Sequence, residues 1–305
     1  MSTRHPLAPV LPVLALLTQS FLTPAPSLAA AKPFSGADAL SLTAKAVSFG
    51  PRHSGSPAIA KQRSWIKQTL ATSGCTLSTD SFTAPTPDGP VAFENILCRF
   101  PGKSGNGSSN KIIVVTGHYD TKKMANFLGA NDGGSSTGFL LELAATLKGR
   151  PRQDDVLLVF FDGEEAVRDW TDTDSLYGSR HLATKWQQDG TVSKIKALLN
   201  VDMIGDKNFR LVWEENSSPA LRDLVWGAAD SLGFSASFPR RGGPVADDHM
   251  PFLLAGVKAL DLIDFDSQAT FWHTTQDTLD KLSPKSFDIL GVVLLRSLEL
   301  LEQQK

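Results

Sequence analysis

Four continuous apolar runs separated by helical patterns constrain the fold of this chain more than any other feature. The runs are KIIVVTG (111–117), DVLLVFF (155–161), IKALLNVDMI (195–204) and VKALDLID (257–264). Unbroken apolar runs of this length are typical of strands buried on both faces of a parallel sheet. Between them, apolar residues recur at helical spacing near 133–148, 178–188 and 218–232. The sequence therefore predicts an α/β fold: a single domain with a mostly parallel central sheet and helices on both faces.

The first thirty residues differ from the rest of the chain. Arg4 precedes an apolar stretch around Val10–Leu17, and small residues follow at Ser27–Ala31. This order is typical of a secretory signal, cleaved near Ala29 or Ala31. The apolar stretch is short and interrupted by proline, which argues against a membrane-spanning anchor. We predict a signal peptide over 1–30 and one exported catalytic domain over 31–305, periplasmic or secreted; a disordered N-terminus is the alternative.

The charge balance excludes some partners. The 305 residues include 30 Lys and Arg and 32 Asp and Glu, which gives a net charge of −2 and a pI of about 6.3. The charges are interspersed without long runs, so neither a nucleic acid nor an anionic membrane surface is an expected partner. We expect a monomer.

The chain has two cysteines, Cys75 and Cys98. They are equidistant from a turn centred at Thr86–Pro87, between two β-rich runs. An antiparallel hairpin with that turn pairs the two cysteines across its strands, and export permits a disulfide. We predict this disulfide; two separate buried thiols are the alternative.

Acids and imidazoles follow all four apolar runs. Ligands of parallel α/β sheets bind beyond the carboxyl ends of the strands, so the residues at these ends are expected to converge. They are His118, Asp132, Glu164, Glu165, Asp202 and His273. Carboxylate oxygen and imidazole nitrogen without thiolate suit zinc in an open catalytic site. The set therefore predicts a metal site with a position left for water or substrate.

Each of these residues has a purely structural explanation when taken alone. Asp132 could cap the helix that follows it, the two adjacent glutamates could be solvated loop acids, and His273 could be an ordinary surface or core histidine. Trp170 and Trp272 could be packing residues. Asp202 is harder to explain in this way, because a charge inside an apolar strand must be paired.

The stretch Gly134–Gly138 also fits G-x-S-x-G, the nucleophile elbow of serine hydrolases. That elbow follows a strand directly, whereas here the preceding run ends near residue 117 and an acidic loop intervenes. A serine hydrolase is therefore disfavoured. A phosphate-binding loop is also disfavoured, because the glycines are not followed by GK[ST].

The order of the motifs resembles the zinc-dependent aminopeptidase superfamily: GHYD (117–120), GAND (129–132), FFDGEE (160–165), VDMIG (201–205) and WHT (272–274). A second set is similar to the animal-type glutaminyl-peptide cyclotransferases, or glutaminyl cyclases: GEEAVRDW (163–170), DSLYGSRHLA (174–183) and ADDHMPFL (246–253). The resemblance runs from about residue 45 to the C-terminus.

The resemblance implies roles for particular residues. It implies that one zinc per chain is held by Asp132, Glu165 and His273. It implies Glu164 as general base and acid, with Asp202 and Asp247 as hydrogen-bonding acids. It implies Trp170, Val245 and Trp272 as walls of the substrate pocket. The sequence departs from the animal pattern at Ala246, where glutamine is usual, and at Asp261, where histidine is usual, which puts pocket details and substrate preference in doubt.

The resemblance is compatible with two reactions and one non-catalytic role. A cyclotransferase converts the N-terminal glutamine of a peptide to pyroglutamate and releases ammonia. A di-zinc aminopeptidase hydrolyses N-terminal residues, with Asp132 bridging two zincs and His118 and Asp202 on the second. Asp247 favours the cyclotransferase, because di-zinc aminopeptidases usually have serine at this place. A zinc-binding module that only captures peptide N-termini is the third alternative.

Overall fold

The computed structural model describes residues 1–2, 32–103, 111–265 and 270–304. The predicted signal peptide falls almost entirely on residues 3–31, outside this part of the chain. Residues Ala31–Lys305 form one compact unit.

Seven helices and six strands make up the described part of this unit. The helices are α1 (Gly36–Val47), α2 (Pro57–Leu70), α3 (Gly134–Leu147), α4 (Tyr177–Gln188), α5 (Pro219–Ser231), α6 (Met250–Leu254) and α7 (Pro284–Gln303). The strands are β1 (Thr76–Thr86), β2 (Gly89–Phe100), β3 (Ile112–His118), β4 (Asp155–Phe161), β5 (Ile195–Asp202) and β6 (Ala259–Ile263).

The six strands form one sheet in the order β1-β2-β4-β3-β5-β6. The four strands predicted from the apolar runs, β4, β3, β5 and β6, are parallel to one another. The hairpin β1–β2 joins them antiparallel to β4 and makes the sheet mixed. The prediction of a single-domain α/β fold with a mostly parallel sheet is confirmed.

Both faces of the parallel strands are covered. Every residue of β3 and β4 is buried. Ile113 and Val115 belong to a core shared with α1, α2, α3, α5 and α7, whereas Val114 belongs to a smaller core shared with α4 and α6. Because successive side chains of a strand point to opposite faces, these two cores lie on opposite sides of the sheet. Burying each such side chain stabilises the fold by roughly 1.5–3 kcal/mol.

Serine side chains cap three helices, and proline at the first turn fixes the start of two of these. The hydroxyls of Ser35, Ser56 and Ser283 accept hydrogen bonds from backbone N–H groups of the first turns of α1, α2 and α7. The last helix thus begins with Ser283 as its N-cap and Pro284 as its first residue. In the described ranges, no helix has the length and apolarity that crossing a bilayer requires.

The hairpin carries the predicted disulfide, but with a different register. Cys75 and Cys98 are bonded, with Cα atoms 5.5 Å apart. Thr86 pairs with Gly89, so the turn is centred one residue later than the sequence suggested, and Cys98 lies opposite Leu77. Cys75 precedes β1 and reaches Cys98 diagonally, which is compatible with the spacing of neighbours on adjacent strands.

The order of strands places a switch point beside β3. The connection through α3 leads from β3 to β4 on one side, and β5 pairs with β3 on the other side. At such a switch, the loops after the two neighbouring strands diverge and leave a crevice. Gly117 permits the close approach here, because a Cβ atom on it would lie 2.8 Å from Cβ of Ser136 and from the carbonyl of Val201.

Candidate metal centre

His118 and Asp202 end the two strands that flank the switch point. His118 is the last residue of β3 and Asp202 the last residue of β5. Nε2 of His118 lies 3.0 Å from Oδ1 of Asp202 and 3.2 Å from Oδ1 of Asp132. All three side chains are buried. The topology therefore brings together residues that are far apart in sequence.

The loop after β3 carries Asp132 to this cluster. Arg52 is fully buried and donates hydrogen bonds to the carbonyls of Leu128 and Gly129, just ahead of the acid. Asp277 accepts hydrogen bonds from the backbone N–H groups of Asn131, at 2.7 Å, and Asp132, at 3.0 Å. Asp132 does not cap α3, whose N-cap is Gly133. Its carboxylate is thus held in place from the backbone side and directed toward the two histidines.

The adjacent glutamates follow β4 through a glycine turn. Gly163 has φ 74°, a left-handed conformation that favours glycine, and a Cβ atom on it would lie 2.4 Å from the ring of Phe93. Asp120 accepts hydrogen bonds from the backbone N–H groups of Glu164, at 3.2 Å, and Glu165, at 3.3 Å. One buried carboxylate therefore sets the position of both glutamates.

His273 completes the cluster from the loop after β6. Its Nε2 lies 3.1 Å from Oε1 of Glu165 and 3.3 Å from Oδ2 of Asp132. The residue has φ 51°, which is uncommon for a side chain with Cβ and is typical of strained functional positions. The rings of Trp272 and His273 stack at a centroid distance of 4.0 Å.

The donors fit a metal. Two groups have ligand atoms that all lie within 4.8 Å of one another: Asp132 with Glu165 and His273, and Asp132 with His118 and Asp202. Oδ2 of Asp132 and Oε2 of Glu165 are buried with only long contacts among the described residues, 3.3 Å to Nε2 of His273 and 3.6 Å to Nζ of Lys122. Buried carboxylate oxygens are normally satisfied, and a bound cation would satisfy these two. Oxygen and nitrogen ligands with no thiolate suit zinc.

The cluster shifts the pKa values of its members. Burial lowers the pKa of His273, but the hydrogen bonds to Asp132 and Glu165 outweigh it and raise the pKa to about 9. Burial raises the pKa of Asp202 to about 7, against the opposing effect of His118. Burial also raises the pKa of Glu164 well above the ordinary value, and His118 opposes this shift. Glu164 and Asp202 are thus suited to hold a proton near neutral pH.

A pocket of about 350 Å³ opens beside the cluster. Its lining includes all the site residues predicted from the sequence except His118: Asp132, Glu164, Glu165, Trp170, Asp202, Val245, Asp247, Trp272 and His273. Trp170 and Trp272 are 43% and 40% exposed, so they form the rim. The rings of Phe265 and Trp272 pack edge to face with centroids 5.0 Å apart. The pocket therefore has charged groups at its base and aromatic groups at its mouth.

Asp247 is fixed by a network behind the pocket. Asn200 donates hydrogen bonds to Asp247 at 3.0 Å and to Asp261 at 3.1 Å, and accepts one from Thr116 at 2.7 Å. Asp261, one of the departures from the animal pattern, is fully buried, and burial raises its pKa well above the ordinary value. Ala246, the other departure, contributes no polar side chain to the pocket that it lines.

Glu214 holds the pocket segment from the other side. Its buried carboxylate accepts hydrogen bonds from the N–H groups of Val245, at 2.9 Å, and Ser217, at 2.6 Å. Nε2 of His249 lies 3.3 Å from it. Burial opposes ionisation, but the contacts with His249 and Ser217 lower the pKa of Glu214 to about 2. The backbone of Val245, which lines the pocket, is thus held by the carboxylate of Glu214.

Sequence reasoning missed four positioning residues: Asp120, Asn200, Glu214 and Asp277. Asp120 follows His118 by two residues after a buried strand, and this spacing was a usable signal. Asn200 is a polar residue inside an apolar strand and was another signal. Glu214 and Asp277 lie in irregular segments with no periodic pattern, so only the fold reveals what they contact.

The comparisons with known proteins agree with this geometry. Residues 95–298 match the model of peptidase family M28. The chain belongs to peptidase family M28. Among curated relatives, this M28 chain is 32% identical to a glutaminyl-peptide cyclotransferase-like protein of Bos taurus, over 80% of the chain and 70% of the relative. It is 30% identical to the glutaminyl-peptide cyclotransferase of Drosophila melanogaster, over 76% of the chain and 72% of the relative.

Solved structures give the same result. The M28 chain matches the glutaminyl cyclase of an Acidobacteriales bacterium with a TM-score of 0.84 and 41% identity, over 93% of the chain and 100% of the other protein. It matches the glutaminyl cyclase of Porphyromonas gingivalis with a TM-score of 0.79 and 28% identity, over 88% of the chain and 98% of that protein. The resemblance to the glutaminyl cyclases and zinc aminopeptidases that the sequence motifs indicated is confirmed.

Proposed function

We propose that this M28 protein is a zinc-dependent glutaminyl-peptide cyclotransferase. The reaction converts the N-terminal glutamine of a peptide to pyroglutamate and releases ammonia. The observation that carries the proposal is the pocket in which Glu164 lies beside the Asp132, Glu165 and His273 group under a rim of two tryptophans. The relatives and solved structures named cyclotransferases and glutaminyl cyclases support it.

Asp132, Glu165 and His273 would hold one zinc per chain. When bound there, zinc supplies a Lewis acid that polarises the γ-carbonyl of the substrate glutamine. Asp277 and Asp120 fix the backbone of the two acids, so the ligand atoms are held in position before the metal arrives. The weakly contacted oxygens of Asp132 and Glu165 support this assignment.

Glu164 would move the proton. In the cyclisation, the α-amine of the substrate attacks the carbonyl carbon of its own side-chain amide and the amide nitrogen leaves as ammonia, so one proton passes from the amine to the leaving nitrogen. Glu164 is buried at the pocket base, and burial raises its pKa, so it can both accept and return that proton. Asp202 and Asp247 line the same pocket, and the charge of Asp247 adds to the rise in the pKa of Glu164.

Trp170, Val245 and Trp272 would enclose the glutamine side chain. Their apolar surfaces exclude water, which competes with the amine for the carbonyl. Attack is intramolecular, so holding the amine near the carbonyl carbon of the side-chain amide supplies much of the rate. The half-exposed tryptophans at the mouth suit a substrate whose remaining residues stay outside.

An aminopeptidase is the second candidate, because the structure contains a second possible metal group. His118, Asp132 and Asp202 lie close enough that they would hold a second zinc, and Asp132 belongs to both groups. With two metals present, Glu164 would act on water and the first peptide bond would be hydrolysed. The environment of Asp202 disfavours this, because burial and the charge of Asp247 raise the pKa of Asp202 to about 7 and a protonated carboxyl group is a poor metal ligand.

One incubation separates the two. The purified protein is mixed with a glutaminyl tripeptide, and the products are measured by an ammonia assay and by mass spectrometry. We expect equal amounts of ammonia and of the pyroglutamyl peptide, which is lighter than the substrate by the mass of ammonia. Free glutamine as the main product would favour the aminopeptidase, and no turnover would favour the binding module.

The protein would act outside the cytoplasm. Removal of residues 1–30 as a signal peptide would leave 31–305 as a catalytic domain that we propose to be a monomer. The bonded Cys75 and Cys98 support an oxidising compartment. N-terminal sequencing of the exported protein tests the cleavage near Ala29 or Ala31.

A further inference from the structure

The loop between β4 and α4 carries Trp170 and closes on the turn that holds the two glutamates. The backbone N–H of Leu176, at the far end of the loop, donates a hydrogen bond to the carbonyl of Glu164 at 2.8 Å. Residues 168–173 lie between these ends and are exposed. Because burial does not order these residues, hydrogen bonds inside the loop set where Trp170 lies relative to Glu164.

Asp174 holds the chain before Trp170. Its side chain is buried, and its two oxygens accept hydrogen bonds from three consecutive backbone N–H groups: Val167 at 2.8 Å, Arg168 at 2.9 Å and Asp169 at 3.1 Å. The hydroxyl of Tyr177 donates a further hydrogen bond to the same carboxylate at 2.8 Å. Local hydrogen bonds of this kind fix a loop that has no ladder of its own.

Asp174 also holds the chain after Trp170. Its own backbone N–H donates a hydrogen bond to the hydroxyl of Thr171 at 3.0 Å. Asp169 and Thr171, the two sequence neighbours of Trp170, are thus both hydrogen-bonded to one residue. The backbone of the tryptophan is therefore constrained from both sides.

Trp170 has less support from other side chains than the second tryptophan of the rim. The ring of Trp272 stacks on His273 with centroids 4.0 Å apart and packs edge to face with Phe265. Among the aromatic rings that the structure describes, none stacks on Trp170. The place of Trp170 in the pocket wall therefore depends mainly on its backbone.

A second carboxylate reaches the same loop but holds it less firmly. Asp88, in the turn of the β1–β2 hairpin, pairs with Arg168 and with Lys123, each at 2.6 Å. The side chains of these two cations are 61% and 45% exposed, and exposed ion pairs contribute little because water and salt screen them. Asp174 is buried and contacts the backbone itself, so it has the larger effect on the loop.

We propose that Asp174 is a positioning residue of the candidate active site and holds Trp170 in the pocket wall. The proposal rests on the proposed cyclotransferase function, in which Trp170 encloses the glutamine side chain. Asp174 does not itself line the pocket. Burial opposes its ionisation, but the hydrogen bonds from the N–H groups of Arg168 and Val167 outweigh burial and lower its pKa. Hydrogen bonds to the resulting carboxylate are stronger than those to a neutral acceptor.

The first experiment measures kcat, KM and zinc content with a glutaminyl tripeptide. Asp174→Asn keeps the size of the side chain but turns an amide NH₂ toward backbone donors, so KM should rise by roughly 10-fold, as for a lost hydrogen bond to a charged group. We expect kcat within about 2-fold of wild type and unchanged zinc, because other residues hold the metal ligands. Asp172→Asn, at an exposed position of the same loop, is the matched control and should match wild type. Asp88→Asn should change KM by less than about 2-fold.

A double-variant cycle tests whether Asp174 acts through Trp170. Where Trp170 is already alanine, Asp174→Asn should raise KM by less than about 2-fold, because the side chain that it positions is gone. A rise in KM of the full size in the Trp170→Ala background, loss of zinc in Asp174→Asn, or an unchanged KM in Asp174→Asn would each overturn the proposal.

Thr171→Val keeps the test decisive if Asp174→Asn does not fold. Thr171 is exposed, and valine keeps its shape while removing the hydroxyl that accepts from the Asp174 N–H. KM should rise by roughly 2–3-fold, the size expected for one neutral hydrogen bond, and should not rise in the Trp170→Ala background. If Asp174→Asn gives no folded protein, an unchanged KM in Thr171→Val would overturn the proposal.

The outcome for the reaction itself is read separately. Release of free glutamine by the wild type would overturn the cyclotransferase function, while the same KM comparisons, measured on hydrolysis, would still decide the role of Asp174. If the wild type turned over no peptide, fluorine NMR of protein labelled with 5-fluorotryptophan would decide it. The Trp170 signal is identified by its loss in Trp170→Phe; it should shift in Asp174→Asn and not in Asp172→Asn. A Trp170 signal that stays in place in Asp174→Asn would overturn the positioning role.

Discussion

Glu164 and Glu165 are neighbours in sequence with different partners in space. Oε1 of Glu165 lies 3.1 Å from Nε2 of His273, whereas Oε2 of Glu164 lies 3.8 Å from Nδ1 of His118. Their backbone N–H groups donate to the two oxygens of one carboxylate, that of Asp120. A single turn thus presents one acid to the metal group and one to the pocket.

This arrangement predicts opposite results for two conservative variants. Glu164→Gln should keep zinc near the wild-type content and lower kcat by roughly 10²–10⁴, because the titratable group is lost and the ligands remain. Glu165→Gln should lose zinc as well as rate, because an amide is a poorer ligand than a carboxylate. Metal content by elemental analysis and turnover by ammonia release check both. If Glu164→Gln lost its zinc and Glu165→Gln kept it, Glu164 would be the metal ligand and Glu165 the proton carrier.

Metal stoichiometry distinguishes the two candidate groups. We expect purified protein to contain about one zinc per chain, because Asp202 pairs with His118 and burial raises the pKa of Asp202 to about 7, which disfavours a second cation beside them. A chelator should abolish activity, and one equivalent of zinc should restore it. His118→Ala is the matched variant: it should retain that one zinc. Two tightly held zincs, both needed for turnover, would contradict the expectation.

Zinc affinity should depend on pH through His273. Its pKa is about 9 without the metal, so the imidazole is protonated at pH 7 and must lose that proton to become a ligand. Affinity should therefore rise about 10-fold per pH unit from pH 7 toward 9 and level off above it, with proton release on binding below that point. Competition with a calibrated chelator at several pH values measures it. Affinity that is flat between pH 7 and 9 would show that zinc binding displaces no proton from His273 in this range.

The sequence predicts most of the fold, because its buried strands have a strong local signature. Unbroken apolar runs predict the strands 112–118, 155–161 and 195–202. Because the carboxyl ends of parallel strands lie at the same edge of the sheet, the acids that follow these strands are expected to lie close together. The hairpin register was not predictable to one residue: β1 is exposed at many positions, so its hydrophobic pattern only weakly specifies the pairing.

The support of the site was harder to predict than its ligands. Asp277 accepts a hydrogen bond from the backbone N–H of Asp132, 145 residues away in sequence. Glu214 accepts one from the backbone N–H of Val245, 31 residues away. No periodicity marks such residues, because what they contact is decided by how loops fold over the sheet. A ligand is found from its chemistry and its place at a strand end, whereas its support is found only from tertiary contacts.

Glu214 should act on substrate binding through Val245. Glu214→Ala removes the acceptor of the Val245 N–H and leaves buried donors unpaired, so KM should rise by roughly 10-fold with a smaller change in kcat and unchanged zinc content. Glu214→Gln, which keeps the acceptor oxygen for this N–H, should recover much of the loss. Glu215→Ala, at the exposed neighbouring position, is the control and should match wild type.

Backbone hydrogen exchange should quicken at residues 243–249 in Glu214→Ala. Exchange that quickens equally throughout the chain would point to general destabilisation instead.

The disulfide should stabilise the domain without affecting the chemistry. Cys75–Cys98 closes a loop of 23 residues' separation, and Cys98 is fully buried in the main core. Replacing both cysteines with serine should lower the free energy of unfolding by about 3 kcal/mol from the lost cross-link. Because this domain is large, that corresponds to a fall in Tm of roughly 6–12 °C. Cys98 pairs with Leu158 inside β4 and not with the turn after Phe161 that carries the two glutamates, so kcat/KM of the folded variant should stay within 2-fold of wild type, about the scatter of a change outside the site. Thiol titration of the denatured, unreduced wild type should find neither Cys75 nor Cys98 free. Two reactive thiols there, or a Tm unchanged by the substitutions, would show that the bond does not contribute to the stability of the protein.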